Sequence, residues 1–270
     1  MRNLININKL KNIKNSFPIL LVMIMGATLV LSCNDDLLDK SPLYAIPEED
    51  VFNDPIFLNG YVASTYNGIK VHYRPAAGGL IGLTDLAFIQ TQTNDIGGPG
   101  EEYLQGGMTP ENVDALTNGL WAHQYKYITN VNVFMEKVEG SAIEPAVLDP
   151  MIGQMLFLRA YMYFELSRHF GGVPLITKTF SLTEESYSVP RNTYDEVAAF
   201  VLSEVEKAIP LLKDHGEAPS GAATKQAAMA LKARMLLYMA SPLNNPNNDL
   251  SKWQAAEVAT KAVIESGFEL

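Results

Sequence analysis

The side chains that could support catalysis or metal binding are few and lie far apart along the chain. The histidines form no HExxH pair and no other spacing that is typical of a zinc site. Adjacent glutamates point in different directions on a helix, whereas a glycosidase needs two carboxyl groups that face each other across a bond. The sequence therefore predicts a protein that is not an enzyme and that uses no metal or other cofactor. The histidines are His72, His123, His169 and His215.

The single cysteine, Cys33, stands where a strongly apolar run ends. Residues 1–16 carry basic residues and no acidic residue, and residues 17–31 form an apolar block. A basic segment, a short apolar core and a small residue at the cleavage point are typical of a secretory signal. The block is shorter than the ~20 apolar residues that a membrane-spanning helix needs. We therefore expect residues 1–32 to be a signal peptide whose removal leaves Cys33 as the first residue.

The chemistry expected at Cys33 is lipidation. Val30-Leu31-Ser32-Cys33 resembles the lipobox of bacterial lipoproteins, in which the cysteine receives a diacylglycerol and an acyl chain. Two or three acyl chains would hold a protein durably at a membrane surface. An inert cysteine at the edge of an uncleaved anchor is the alternative. Residues 33–50 are polar and contain prolines, which predicts a flexible tether behind the lipidated cysteine.

A long segment between two predicted helices is the best candidate for ligand binding. It runs from His72 to Met108 and is rich in glycine, threonine, asparagine and aromatic residues. Loops of this length in compact domains are usually functional or disordered. Aromatic faces beside amide and charged groups would suit sugar rings, although the same aromatics could merely hold the segment on the helices. A turn at Asn94-Asp95 could also ligate calcium. The candidate ligand-binding residues are Tyr73, Arg74, Asn94, Asp95, Tyr103 and Gln105.

Helix start and stop signals recur after the tether. Asp54-Pro55 offers an N-cap followed by proline, and Thr193 with Glu196 has the spacing of a capping box. Ser251 with Gln254 has the same spacing, and glycines such as Gly171 stand where helices should end. Helices are predicted over residues 55–69, 111–139, 150–169, 194–209, 224–240 and 252–266.

These helices differ in how much of their surface is apolar. The helix over 194–209 has one apolar stripe, whereas those over 150–169 and 224–240 each have two. Amphipathic helices that alternate with doubly buried ones predict an all-α fold, a divergent tetratricopeptide-like solenoid of helical hairpins with long inserted loops. An ordinary helical bundle is the alternative.

The charge balance limits the possible partners. The net charge is −10, and it becomes −14 once residues 1–32 and their four basic residues are removed. An acidic surface of this kind argues against binding to nucleic acid or to anionic lipid headgroups. Attachment to a membrane would therefore come through the lipid on Cys33.

Several blocks resemble one known family. The run LRAYMYFELSRHFGGVPLI at 158–176 resembles the signature of the SusD/RagB family of Bacteroidota surface lipoproteins. The blocks SCNDDLLDKSP at 32–42, VFNDPIFLNGYVASTYNGI at 51–69 and YSVPRNTYDEVAAFVLSEVEKAIPLL at 187–212 are similar to that family in the same order, as is KQAAMALKARMLLYMASPLNNP at 225–246. Residues 51–270 are thus identified as a SusD-like amino-terminal helical-repeat region. Members of the family continue beyond a last helix like this one, so we expect the carboxy-terminal half to be missing.

The resemblance implies a function and partners. SusD-like proteins capture an oligosaccharide or similar nutrient at the cell surface and deliver it to a SusC-like TonB-dependent β-barrel transporter. It implies an outer-membrane location, lipid-anchored and facing the cell exterior, and an export role for the acidic residues behind Cys33. It also implies that the segment 72–108 contributes to the ligand face. The alternative is a lipid-anchored helical-repeat scaffold that assembles envelope proteins without binding nutrients. An anchored hydrolase would need catalytic residues in the later half.

Overall fold

The computed structural model describes residues 47–69, 109, 119–181 and 188–267, and the regular structure within these residues is helical. This confirms the predicted all-α class. None of the helices in these stretches combines the length and the apolar character needed to cross a membrane. In chain order the helices are α1 (Glu48–Asn53), α2 (Pro55–Thr65) with a 3₁₀ turn (Tyr66–Gly68), α3 (Leu120–Lys137), α4 (Pro145–Phe170), α5 (Tyr194–Ala208), α6 (Lys225–Ala240) and α7 (Leu250–Ile264).

Side-chain caps explain where several of these helices begin. The Asp54 carboxylate accepts a hydrogen bond of 2.7 Å from the N–H of Ile56, and Pro55 occupies the first turn of α2. At α5, Thr193 Oγ1 accepts from the N–H of Glu196 at 3.3 Å, and the Glu196 carboxylate accepts from the N–H of Thr193 at 2.7 Å. Each cap satisfies backbone donors that have no partner inside the helix. Both caps were predicted from the sequence and are confirmed.

At α1 and α4, helical structure begins earlier in the chain than the sequence predicted. Helix α1 begins at Glu48, so the last three residues of the predicted tether are helical. Helix α4 begins at Pro145 and continues through Pro150, where the sequence had predicted its start. Proline removes one helical hydrogen bond. The helix nevertheless continues because Leu148 and Met151 on either side of it are buried in the core.

The predicted capping box at Ser251 and Gln254 is wrong. The N-cap of α7 is Asp249, whose carboxylate accepts a hydrogen bond of 2.9 Å from the N–H of Ser251. Asn245 holds Asp249 in place, since its side-chain oxygen accepts from the N–H of Asp249 at 2.8 Å.

Helix α3 lies within the helix predicted over 111–139. Residues 111–118 of that prediction lie outside the described residues.

The helices pack as a series of hairpins. From α3 to α7 each helix packs against the next one along the chain, and α2 packs against both α3 and α4. Helix α5 buries one stripe, whereas α4 is covered on both sides, as predicted. The second apolar stripe predicted on α6 is buried only in part, because Ala240 is buried whereas Leu237 remains 48% exposed. The arrangement confirms the tetratricopeptide-like array.

A buried ion pair joins the three central helices. Arg159 on α4 donates to the Glu204 carboxylate on α5 through Nε at 2.8 Å and through Nη2 at 2.6 Å. Its Nη1 donates to Asn132 Oδ1 on α3 at 2.9 Å. All three side chains are almost fully buried. Buried charges are tolerated only when such partners replace water, so this cluster constrains how α3, α4 and α5 align.

We expect Arg159→Met to lower the free energy of unfolding by about 3–5 kcal/mol, because it leaves a buried carboxylate without its main partner. The double variant Arg159→Met/Glu204→Met should lose much less, since no unpaired charge remains. Urea unfolding monitored by circular dichroism measures both.

The matched control is Lys232→Met, which breaks the exposed ion pair between Lys232 and Glu206, whose N–O distance is 3.0 Å. Exposed pairs contribute about 0–1 kcal/mol, so this variant should unfold nearly like the wild type. Equal losses in Arg159→Met and Lys232→Met would contradict a special role for the buried pair.

Candidate functional site

The predicted ligand-binding residues Tyr73, Arg74, Asn94, Asp95, Tyr103 and Gln105 lie outside the described residues, and so does Cys33. Their roles, and the possible calcium turn at Asn94-Asp95, therefore stay predictions. The structure describes the helices before and after that segment in the sequence.

Residues described before and after that segment contact each other. Nε2 of His123, in the first turn of α3, lies 3.0 Å from the carbonyl oxygen of Asn67 in the 3₁₀ turn, within hydrogen-bonding distance. Beside it, Gly68 packs so closely against α3 that a Cβ there would come within 2.9 Å of the Cβ of Tyr127. The last residues described before that segment therefore lie beside α3, the first helix described after it.

An aromatic cluster lies at the start of α3, just after this junction. The ring of Trp121 is 5.1 Å from that of Tyr125, one turn further along α3, and 5.3 Å from that of Phe170 at the end of α4. Trp121 is 36% exposed. We call these three residues the Trp121 cluster. Sequence reasoning missed it, although the spacing of Trp121 and Tyr125 by four residues places both on one side of a helix.

Beyond α4 the chain leaves in an extended segment, residues 171–179, which begins with two glycines. Gly171 has a φ of 71°, which favours glycine, and it ends the helix as predicted. A Cβ on Gly172 would overlap the carbonyl oxygen of Asn192, so only glycine fits there. Arg191 donates to the carbonyl oxygens of Phe170, at 2.7 Å, and Gly172. The pair of glycines thus lets the residues before α5 pack directly on the end of α4.

Side chains from α3 and α4 hold this extended segment. The Tyr125 hydroxyl donates to the carbonyl oxygen of Pro174 at 2.7 Å. The Tyr163 hydroxyl accepts from the N–H of Ile176 at 2.7 Å and lies 3.1 Å from its carbonyl oxygen. The side-chain amide of Asn132 donates to the same carbonyl at 3.0 Å. The extended segment is therefore fixed by the half-buried Tyr125, which belongs to the Trp121 cluster, and by the buried Tyr163 and Asn132, of which Asn132 also contacts the ion pair.

Burial keeps the tyrosine anchors in their neutral form. It raises the pKa of Tyr163 to about 12, and it also raises the pKa of Tyr125. Desolvation disfavours the charged phenolate, so both hydroxyls keep their protons at physiological pH. The Tyr125 hydroxyl can therefore donate its hydrogen bond to the Pro174 carbonyl oxygen at physiological pH.

The described residues contain no site with obvious catalytic chemistry. His123 belongs to the junction, while Nδ1 of His169 lies 2.8 Å from the carbonyl oxygen of Glu165 at the end of α4. Arg168 pairs with the Glu165 carboxylate at 2.8 Å, so Arg168 and His169 both contact Glu165 one turn earlier in α4. Nowhere in the described stretches do three His, Cys, Asp or Glu side chains cluster closely enough to hold a metal ion.

Two cavities in the helical array present little aromatic surface. A groove of about 640 Å³ between α5, α6 and α7 is lined mainly by aliphatic side chains. A cleft of about 350 Å³ beside α2 and α4 contains one aromatic residue, Tyr66, whose hydroxyl donates to Gln154 and accepts from the N–H of Ala223. Neither cavity therefore presents an open aromatic face.

Comparison with known proteins places this architecture in a family. A family model described as SusD-like, starch-binding associating with outer membrane, matches residues 38–237. The chain belongs to the SusD-like family. The SusD-like signature predicted at 158–176 contains Arg159 and Tyr163, and it ends in the extended segment. The motif therefore supplies the arginine of the buried ion pair and one of the hydroxyl groups that hold that segment.

Individual relatives of this SusD-like chain agree with the family. SusD-like protein P38 from Formosa agariphila is 25% identical over 260 residues, which are 96% of this chain and 46% of the relative. The crystal structure of a SusD-like protein from Bacteroides fragilis superposes with a TM-score of 0.64 at 25% identity and covers 86% of this chain and 42% of that chain. A SusD-like carbohydrate binding protein from the same species gives a TM-score of 0.63 at 24% identity, covering 81% and 42%. The chain thus spans less than half the length of these relatives.

We expect Gly172→Ala to destabilise this SusD-like fold by about 1–3 kcal/mol, because the added methyl group would displace the backbone at Asn192. Gly60→Ala is the matched control. A Cβ at this helical glycine meets nothing within 4 Å, so the variant should be neutral or more stable by roughly 0.5–1 kcal/mol. Thermal unfolding measures both, and a neutral Gly172→Ala would contradict the close packing.

The far end of the extended segment should respond to pH. The Thr179 hydroxyl and N–H both donate to the Glu136 carboxylate, at 2.6 and 2.7 Å, and they lower the pKa of Glu136. The contact is present above that lowered pKa and is lost as the pH falls through it. An NMR titration of the Thr179 amide proton should show a midpoint below that of an ordinary glutamate, and Thr179→Val should raise it. A midpoint that Thr179→Val leaves unchanged would contradict the assignment.

Proposed function

We propose that this protein is a lipid-anchored, cell-surface binding protein that captures an oligosaccharide or similar nutrient and passes it to a TonB-dependent outer-membrane transporter. The observation that carries the proposal is the match of residues 38–237 to a family described as starch-binding and associated with the outer membrane. The protein would bind its ligand without changing it chemically, and it would not bind nucleic acid.

The arrangement around the predicted ligand-binding segment supports capture. The helices described before and after the segment are held together by the contact between His123 and Asn67 and by the close approach of Gly68 to α3. Helices fixed in this way lose little conformational entropy when a ligand binds beside them. Tyr73, Arg74, Tyr103 and the polar residues between them would form the ligand face.

Delivery requires attachment to the outer membrane, and the proposed anchor is a lipid on Cys33. Residues 33–47 would then act as the tether, since α1 begins at Glu48. The proposed partner is a large SusC-like β-barrel in the same membrane. The acidic charge of the chain favours binding through a lipid over binding to anionic headgroups.

The triple variant Tyr73→Ala/Arg74→Ala/Tyr103→Ala should weaken polysaccharide binding by about tenfold or more, because it removes aromatic faces and a hydrogen-bonding group. Retardation of the purified protein in native gels that contain soluble starch, laminarin, xylan or pectin measures the affinity. Gln254→Ala/Glu257→Ala on the exposed side of α7 is the control and should behave like the wild type. A wild-type protein that none of these polysaccharides retards would contradict the proposal.

The partner can be tested separately with the native protein in solubilised envelopes. Affinity capture followed by mass spectrometry should recover a large β-barrel transporter, and Cys33→Ala should release the protein from the membrane fraction. Recovery of other envelope proteins without a transporter, together with no polysaccharide binding, would support the scaffold alternative instead.

A further inference from the structure

The Trp121 cluster has the features of a surface that stacks against a sugar. Trp121 lies two residues after Gly119, where the described chain resumes beyond the predicted ligand-binding segment. Its ring meets that of Tyr125 at 51° and that of Phe170 at 80°. Both neighbours therefore contact it at an angle and leave it 36% exposed.

The Trp121 cluster is held in place by contacts of Tyr125 and Phe170 with neighbouring residues. The Tyr125 hydroxyl donates to the carbonyl oxygen of Pro174, and the Tyr125 ring packs edge-on against that of Tyr163, with centroids 6.3 Å apart. The carbonyl oxygen of Phe170 accepts from Arg191. The Tyr125 ring is thus fixed by the extended segment and by Tyr163, and the backbone that carries the Phe170 ring is fixed by Arg191. A fixed aromatic surface loses little conformational freedom when a ligand stacks on it.

The π face of an indole ring is suited to stacking against the C–H face of a sugar ring. The π face carries partial negative charge, and one face of a pyranose ring presents C–H groups with partial positive charge. We propose that Trp121 is a stacking platform for a pyranose ring of the captured glycan, placed at the start of α3, the first helix described after the predicted ligand-binding segment. This inference rests on the proposed function, and it adds a binding residue outside that segment.

The chain contains its own control for this proposal. It has two tryptophans, and the second, Trp253 on α7, is 37% exposed, nearly the same as Trp121. Within the described residues α7 packs mainly against α6, whereas Trp121 lies beside the end of α4. The two tryptophans are therefore matched in exposure but occupy separate parts of the helical array.

The binding test compares Trp121→Ala, Trp121→Phe and Trp253→Ala in the same polysaccharide gels. Trp121→Ala should weaken binding by about tenfold, as is typical of a central aromatic contact, while Trp121→Phe should retain most of the affinity. Trp253→Ala should bind like the wild type. Thermal unfolding of each variant shows whether it is folded.

Fluorescence gives a second measurement that does not depend on the stability of Trp121→Ala. In Trp253→Phe the remaining tryptophan is Trp121, and saturating oligosaccharide should change its emission intensity or wavelength. In Trp121→Phe, where Trp253 remains, the same oligosaccharide should leave the emission unchanged.

The two proposals fail in different ways. If the wild type binds a polysaccharide but Trp121→Ala binds equally well, or if only Trp253 responds in fluorescence, the platform is wrong while the proposed function stands. If the wild type binds no polysaccharide and neither tryptophan responds, both are overturned.

Discussion

The buried ion pair between Arg159 and Glu204 is the interaction on which the central part of this structure depends. A guanidinium and a carboxylate can leave water together only when their hydrogen bonds are replaced, and here Asn132 supplies one of the replacements. The three residues come from α3, α4 and α5, so their hydrogen bonds limit how far these helices can slide or rotate relative to one another. Apolar packing alone would tolerate more alternative alignments, because it is not directional.

The same cluster connects the helical array to the candidate ligand region. Asn132 contacts Arg159 with its oxygen and the carbonyl of Ile176 with its nitrogen. Through Ile176 the extended segment is tied to Tyr163, and through Pro174 it is tied to Tyr125. Tyr125 packs against Trp121, which lies beside the junction of the predicted ligand-binding segment. A continuous set of contacts therefore runs from the buried ion pair to the exposed indole ring.

This arrangement explains why the SusD-like signature is a run of sequence with no catalytic pattern. Arg159 and Tyr163 act inside the protein, and Gly172 permits close contact with Asn192. Their contacts position the helices and the extended segment. The residues proposed to contact a ligand are different ones, in the predicted segment and at Trp121.

The sequence by itself determined the all-α class, the approximate positions of the helices, the caps at Asp54 and Thr193 and the end of α4 at Gly171. These features depend on residues within a few positions of one another, so local spacing is sufficient to predict them. The start of α7 was misplaced because Ser251 and Asp249 are both good caps, and the choice depends on the contact with Asn245. The start of α4 was misplaced because core packing outweighed the cost of Pro150.

Only the tertiary structure decided which polar residues are buried together. Arg159 and Glu204 are 45 positions apart, and each looks in the sequence like an ordinary charged residue between the apolar positions of its helix. The junction between Asn67 and His123 spans 56 positions, and the Trp121 cluster combines residues from the start of α3 and the end of α4. No local pattern specifies such pairs, because they form only when helices distant in sequence pack side by side.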